Sequence, residues 1–212
     1  MLKFKEMKKK YRSKSIEEKL LEKYTNINSL LEDSIQANNM IGVKVALKNG
    51  ADIHTNDDYA VRYVCYNNSL ELVKYLVENG ANIHANNNQP IRLASERNYI
   101  NIVEYLIEKG VNITNVIKET PNDSLLSHAI NNENSYYVNM LLEYKIDIHC
   151  DDEYFLKKAY LKGNVDIIKS LIKYGADVDI VKDWIIDRSI DRTNIKLLNK
   201  PNYKKNRKLV YD

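Results

Sequence analysis

Apolar side chains recur at helical spacing along most of the chain, and short polar turns interrupt them at regular intervals. The segment 70–84 shows the pattern most clearly. It places Leu72, Val73, Leu76 and Val77 on one face of an amphipathic helix. The helix is predicted to end at Asn79-Gly80, because glycine readily takes the left-handed conformation that terminates helices. The Ala-Asn-Ile-His segment that follows predicts a short extended connection.

The same five-residue motif, a helix-ending residue followed by a short connection, appears five times along the chain, and we call it the stop signal. It reads Gly50-Ala51-Asp52-Ile53-His54, Gly80-Ala81-Asn82-Ile83-His84, Gly110-Val111-Asn112-Ile113-Thr114, Lys145-Ile146-Asp147-Ile148-His149 and Gly175-Ala176-Asp177-Val178-Asp179. Repetition at a period of 20 to 50 residues is typical of repeat proteins. Each unit is predicted to hold two short antiparallel helices. Because neither helix can bury its apolar face alone, stacked units must supply the core.

The stop signals divide the chain into repeats. We place them at about 25–54, 55–84, 85–114, 115–149 and 150–179, with a partial sixth at 180–198. Ser15 and Glu18 form a capping-box pattern, which predicts a helix over about 16–24 that covers the first repeat. The basic segments 1–24 and 199–212 therefore flank a repeat array over 25–198.

The order of helix, Gly-Ala-Asp-Ile, finger and small-residue helix resembles the ankyrin repeat. The T-P-L-H-x-A block of that family aligns with SLLEDS, YAVRYV, QPIRLA, SLLSHA and YFLKKA, which place Ala94, Ala129 and Ala159 at the alanine. The resemblance implies an all-α solenoid of stacked helix-turn-helix units with short extended or β-turn fingers.

The chain departs from the family pattern at several positions. The glycine between the two helices is kept only as Gly163; Asn38, Asn68 and Asn98 replace it, and asparagine tolerates left-handed backbone, whereas Glu133 fits poorly. The family's histidine is replaced throughout, by Glu32, Arg62, Arg92, Ser127 and Lys157. Most repeats are 30 residues long rather than the family's 33, which predicts stunted fingers. This short form, together with the Asn, Ile and Tyr bias, is similar to ankyrin proteins of amoeba-infecting giant viruses such as mimivirus.

Composition and charge add an alternative function. With 44% hydrophobic and 29% charged residues, the chain can form a packed core. Its net charge of +3 hides an asymmetry, because KKKYR at 8–12 and KKNRK at 204–208 make both ends basic around an acidic middle. The ends could be targeting signals, or arms that tether the protein weakly to nucleic acid or an anionic membrane.

We find no pattern that predicts catalysis, a metal site or a cofactor. The recurring His54, His84 and His149 lie in different repeats, too far apart to share one ion. We interpret the acidic pairs of the fingers as helix N-caps. No catalytic triad, phosphate loop or zinc-protease motif is present, so we expect neither an enzyme nor a small-molecule substrate. Two isolated cysteines and the lack of a secretory signal or apolar span favour a reducing intracellular setting. With the resemblance to viral ankyrin proteins, this setting is expected to be the host cytoplasm.

The resemblance implies that a protein partner binds the concave face, which is built from fingers and the exposed sides of the first helices. Candidate contacts on this face are Asn56, Asp57, Tyr66, Asn87, Glu96, Arg97, Asn131, Asp151 and Asp152. The fourth repeat carries five extra residues before its first helix, so 114–123 is predicted to form the longest finger. Its candidate contacts are Val116, Ile117, Lys118 and Glu119. We expect a monomer.

Overall fold

A computed structural model describes residues 14–119, 125–187 and 198 of the protein. These residues form thirteen helices and no strand, which confirms the all-α prediction. The helices are α1 Ile16–Lys23, α2 Ile27–Gln36, α3 Met40–Lys48, α4 Thr55–Tyr66, α5 Leu70–Glu78, α6 Ala85–Glu96, α7 Ile100–Glu108, α8 Ile113–Glu119, α9 Leu125–Asn131, α10 Ser135–Glu143, α11 Cys150–Lys162, α12 Val165–Lys173 and α13 Val178–Asp187.

The chain divides into two compact units, residues up to Pro90 and residues from Ile91 onward, and the division falls within α6. In the first unit α2 pairs with α3, α4 pairs with α5, and α2 packs on α4. Leu30, Val43, Val61 and Leu72 lie in its core. Burying these side chains is worth about 1.5–3 kcal/mol each, so helix stacking supplies the core of this unit.

Helix α1 packs on α3 of the first repeat. The backbone N–H of Ser15 donates to Glu18 Oε2 at 2.7 Å, and the N–H of Glu18 donates to Ser15 Oγ at 3.1 Å, which completes the capping box. Lys48 Nζ lies 2.9 Å from Glu17 Oε1 and so links α3 to α1.

In the second unit α9 packs on α8, α10 and α11, while α11 also packs on α12 and α13. The core of this unit contains a polar pair. The hydroxyl of Tyr137 donates to Ser95 Oγ at 2.9 Å, and both side chains are fully buried. The bond satisfies two polar groups that would otherwise destabilise the core.

The stop signal has a local structural explanation. At Gly50 φ is +89°, its N–H bonds to Leu47 O, and the N–H of Ala51 bonds to Ala46 O, which is the Schellman arrangement. In four of the five signals the Asp or Asn that follows accepts the N–H two positions ahead, as Asp52 Oδ1 does from His54 at 2.9 Å. The Gly-x-Asp-x-His pattern is therefore a helix end joined to an Asx turn.

Left-handed residues lie between the helices of each repeat, as predicted. The φ angles are +50° at Asn38, +59° at Asn68 and +60° at Asn98, and the ill-suited Glu133 has φ +52°. Asparagine tolerates this region because its short polar side chain can bond locally, whereas glutamate gains no such compensation.

The N-cap interpretation of the acidic finger residues is wrong. Three consecutive residues are left-handed at the start of each of three first helices: Asn56-Asp57-Asp58, Asn86-Asn87-Asn88 and Asp151-Asp152-Glu153. No side chain caps α4 or α11, and their right-handed part begins after these turns. Pro90 consequently lies in the first right-handed turn of α6, where the lack of an N–H costs little.

The long finger expected over 114–123 is wrong for its first part, because residues 113–119 form α8. Val116 and Ile117 are only 3% and 2% exposed, so their side chains belong to the core of the second unit rather than to a contact surface. The side chains of Lys118 and Glu119 and all of residues 120–124 lie outside the described residues.

Candidate functional site

The remaining candidate contacts are all exposed. In the first unit they are Asn56, Asp57, Tyr66 and Asn87, and in the second they are Glu96, Arg97, Asn131, Asp151 and Asp152. Two of them, Asp151 and Asp152, line one cleft. Their role in partner binding stays a prediction.

In the second and fifth repeats, Arg62 and Lys157, which align with the histidine of the ankyrin pattern, bond the left-handed turns. In the second repeat Arg62 donates through Nε to Asp57 O at 2.9 Å and through Nη2 to Asn56 O at 2.7 Å. Its Nη1 donates to Gln89 Oε1 at 2.9 Å. In the fifth repeat Lys157 Nζ instead bonds the carboxylate of Asp152 at 2.6 Å. The substitution thus supplies donors to an acceptor-rich turn.

Each of the three recurring histidines contacts the last residue of its left-handed turn. His54 Nδ1 lies 3.0 Å from Asp58 Oδ1, and that oxygen also accepts the N–H of Asn82 at 2.7 Å. His149 Nδ1 lies 2.5 Å from Glu153 Oε1. Both carboxylates are buried, and each histidine contact joins the end of one repeat to the left-handed turn of the next. Within the described ranges, no group of three or more His, Cys, Asp or Glu residues could hold a metal ion.

The second unit contains a cleft of about 460 Å³ on the predicted binding face, which we call the Lys158 cleft. It is lined by Asp151, Asp152, Tyr154, Lys157, Lys158, Leu161 and Trp184. This volume lies within the range of pockets that bind ligands, about 300–1,000 Å³. By contrast, a cavity in the first unit beside Asn28 and Tyr59 measures about 10 Å³, which is room for about one water.

Aromatic and cationic side chains meet in the Lys158 cleft. Lys157 Nζ lies 5.7 Å from the ring centroid of Trp184, and Lys158 Nζ lies 5.2 Å from that of Tyr154. Leu161 is 63% exposed. Tyr154 and Trp184 are half-buried, and aromatic and large apolar side chains beside cations are typical of the centres of protein interfaces.

Lys158 is held by hydroxyl groups. Its Nζ donates to Tyr154 OH at 2.9 Å and to Ser127 Oγ of the preceding repeat. Lys157, in contrast, forms an ion pair with Asp152. The cleft therefore holds one lysine with a carboxylate partner and one whose partners are neutral.

Our reasoning from the sequence missed Tyr154, Lys158 and Trp184 as cleft residues. It assigned Asp151 and Asp152 to the binding face, but Trp184 belongs to the partial sixth repeat and Ser127 to the fourth. Stacking of α9, α11 and α13 brings these residues together. The one available signal was Trp184, the single tryptophan of the chain.

The two cysteines are free and not activated as nucleophiles. Burial raises the pKa of the Cys65 thiol, and burial together with the nearby Asp151 and Asp147 raises the pKa of Cys150 to about 11. Both thiols thus stay protonated at neutral pH, whereas a nucleophilic or metal-binding cysteine acts as the thiolate.

Two further features bear on the alternative function, a tether to nucleic acid or an anionic membrane. Among the described helices, none is long and apolar enough to cross a membrane. The basic clusters at 8–12 and 204–208, on which the tether hypothesis depends, lie outside the described residues.

Comparison with known proteins shows what part of the chain is similar to ankyrin repeats. Residues 31–117 match the family of ankyrin repeats (3 copies). A search of curated proteins gives no match. Among solved structures, the crystal structure of the human ASB11 ankyrin repeat domain is similar, with 25% identity and a TM-score of 0.60 over 76% of this chain and 78% of that one.

Proposed function

We propose that the chain is an ankyrin-repeat protein and that it is a non-enzymatic module, which binds a protein partner through the face carrying the Lys158 cleft. Ankyrin repeats are in general protein–protein interaction modules and are typically non-enzymatic. The observation that carries the proposal is the cleft itself, in which Tyr154, Trp184 and the exposed Leu161 lie beside two lysines.

The chemistry of this face supports protein binding. Tyrosine and tryptophan give large contact areas at low entropic cost, and the Asp151 and Asp152 side chains add hydrogen-bond acceptors around them. In the first unit Asn56, Asp57 and Asn87 present the same kind of polar surface. We propose that the turn at Asp151 and Asp152 forms the polar rim of the cleft, that the turns of the first unit also contact the partner, and that the protein acts as a monomer.

We also propose that the protein comes from a giant virus of amoebae and acts in the host cytoplasm. The 30-residue repeat and the Asn-, Ile- and Tyr-rich composition support this source. Fluorescence microscopy of the tagged protein in infected amoebae would test the location; accumulation outside the cytoplasm would contradict it.

The binding proposal is tested by affinity capture from an amoeba lysate with the full-length protein and two variants. Leu161→Glu places a charge in the cleft. As a control, Ile41→Glu places the same charge at an exposed site on α3, which is the second helix of the first repeat. A partner retained at high salt by the native protein and Ile41→Glu but lost by Leu161→Glu is the expected result.

Two outcomes would contradict the proposal. Equal capture by Leu161→Glu would show that the partner binds elsewhere. Capture of nucleic acid or lipid alone, lost as salt rises, would instead favour the basic ends as the binding elements.

A further inference from the structure

The ammonium group of Lys158 has a donor to spare inside the cleft. A lysine ammonium carries three N–H donors and no acceptor. Two of them are used by Tyr154 OH and Ser127 Oγ. In the part of the chain that the structure describes, Lys158 forms no ion pair with a carboxylate. A half-buried charge held by two neutral groups is incompletely compensated, and a bound anion would complete its coordination.

The neighbouring lysine is not equivalent. Lys157 lies 2.6 Å from Asp152 Oδ2, so its charge is already paired. Its Nζ also lies over the Trp184 ring. The preference of the cleft for a negatively charged ligand therefore depends on Lys158 alone, because the charge of Lys157 is already paired.

The acids of the cleft are less suited to select a charge. The side chain of Asp152 is 69% exposed and pairs with Lys157, and Asp151 is also exposed. Exposed carboxylates are well hydrated and interact with a partner across water, where a charge pair contributes little. A partner's carboxylate at the half-buried Lys158 gains more than a partner's cation at the exposed acids.

The apolar part of the cleft lies within reach of that charge. Leu161 is one helical turn beyond Lys158 on α11, and Trp184 approaches from α13. Residues three apart on a helix share a face, so an anion at Lys158 and an apolar side chain on Leu161 can come from neighbouring residues of one extended peptide. A cleft of about 460 Å³ suits a few side chains.

We propose that the Lys158 cleft binds a short segment of the protein partner in which an acidic side chain stands next to a bulky aliphatic one. The carboxylate accepts the remaining N–H of Lys158, and the aliphatic group packs on Leu161 and Trp184. This inference rests on the proposed function and specifies the partner's chemistry.

The single tryptophan makes the cleft directly observable, because intrinsic fluorescence excited at the indole reports Trp184 alone. The full-length protein is titrated with the capped peptide Ac-Gly-Glu-Leu-Gly-NH₂, and then with peptides in which Gln or Lys replaces Glu, or Gly replaces Leu. We expect saturable binding of the Glu-Leu peptide. The Gln-Leu peptide should bind about tenfold more weakly, as the loss of a charge-assisted hydrogen bond predicts.

Protein variants provide the second arm. Lys158→Gln removes the charge but keeps a donor, and it should bring the affinities of the Glu-Leu and Gln-Leu peptides together. Lys169→Gln makes the same charge change on α12 outside the cleft and should leave the tenfold preference intact. Because the peptide series uses the native protein, it stays decisive even if Lys158→Gln unfolds.

Three results would overturn the inference: equal affinity for the Glu-Leu and Gln-Leu peptides, preference for the Lys-Leu peptide, or no saturable change in Trp184 fluorescence. These results are distinguishable from failure of the proposed function. A partner captured by the native protein and lost with Leu161→Glu, but indifferent to Lys158→Gln, would keep the binding face and remove the acidic motif.

Discussion

At the scale of single residues, the left-handed turns of two repeats end in buried acidic side chains of different length. Asp58 and Glu153 are equivalent buried residues at the end of left-handed turns. Asp58 Oδ1 accepts from both His54 and the N–H of Asn82, which lies 24 residues further on. Glu153 accepts from His149 through Oε1, but its Oε2 is buried and has no hydrogen-bond partner in the described residues. The longer side chain thus leaves an acceptor unsatisfied.

Exchanging the two side chains should change stability in opposite directions. Glu153→Asp shortens the side chain toward the geometry of Asp58 and suits φ +62° better, so we expect a gain of about 1 kcal/mol in the free energy of unfolding. Asp58→Glu should cost about 1–3 kcal/mol by removing the bond to Asn82. Urea unfolding of both variants measures the effects. Changes of the same sign in the two variants would refute the equivalence.

At the scale of elements, a glycine allows α2 and α3 to approach closely. A Cβ placed on Gly42 would lie 2.9 Å from Ser34 Cβ and nearer still to its hydroxyl oxygen. Ser34 occupies the family's alanine position on α2, and both residues are buried. A side chain as small as serine, or the alanine of the ankyrin pattern, fits at position 34 only because Gly42, the residue that faces it, has no side chain.

Gly42→Ala should therefore destabilise the protein although alanine is the better helix former. Helix propensity favours alanine by about 1 kcal/mol, but overpacking of a close contact costs about 1–3 kcal/mol, and we expect a net loss of about 1 kcal/mol. The midpoint of thermal unfolding measures it. Ser34→Ala in the same chain should recover part of the loss, because it removes the clashing oxygen. A Gly42→Ala protein as stable as the native one would disprove the close contact.

The sequence predicted those helices and turns that depend on residues within a single repeat. Helix periodicity and the Gly-x-Asp-x-His signal predicted the helix pairs correctly, because both depend on residues a few positions apart. The left-handed turns were mistaken for N-caps because Asn and Asp favour both conformations. Helix α8 was missed although Ile113, Val116 and Ile117 have helical spacing; the insertion and Pro121 favoured a loop. The Lys158 cleft required stacking of three repeats, which no local pattern encodes.

At the scale of the whole molecule, each unit buries a weak acid whose protonated form is favoured by folding. The Cys65 thiol lies in the core of the first unit and the Tyr137 hydroxyl in that of the second, and burial raises the pKa of both groups above their ordinary values of 9.0 and 10.0. Above those values the unfolded chain releases protons that the folded chain retains. Raising the pH thus favours unfolding, by roughly 1.4 kcal/mol per pH unit for each proton.

The variant Tyr137→Phe separates the contribution of the Tyr137 hydroxyl to the pH dependence of stability from that of the Cys65 thiol. Near neutral pH the variant should be about 1 kcal/mol less stable than the native protein, because the hydrogen bond to Ser95 is lost. Above about pH 10 the native protein loses stability by one more proton per molecule than the variant, so the two unfolding free energies should converge at about pH 11. Urea unfolding between pH 7 and pH 11, with the exposed Tyr144→Phe as control, measures this. A stability difference for Tyr137→Phe that stays constant with pH would show that the hydroxyl ionises equally in the folded and unfolded chains.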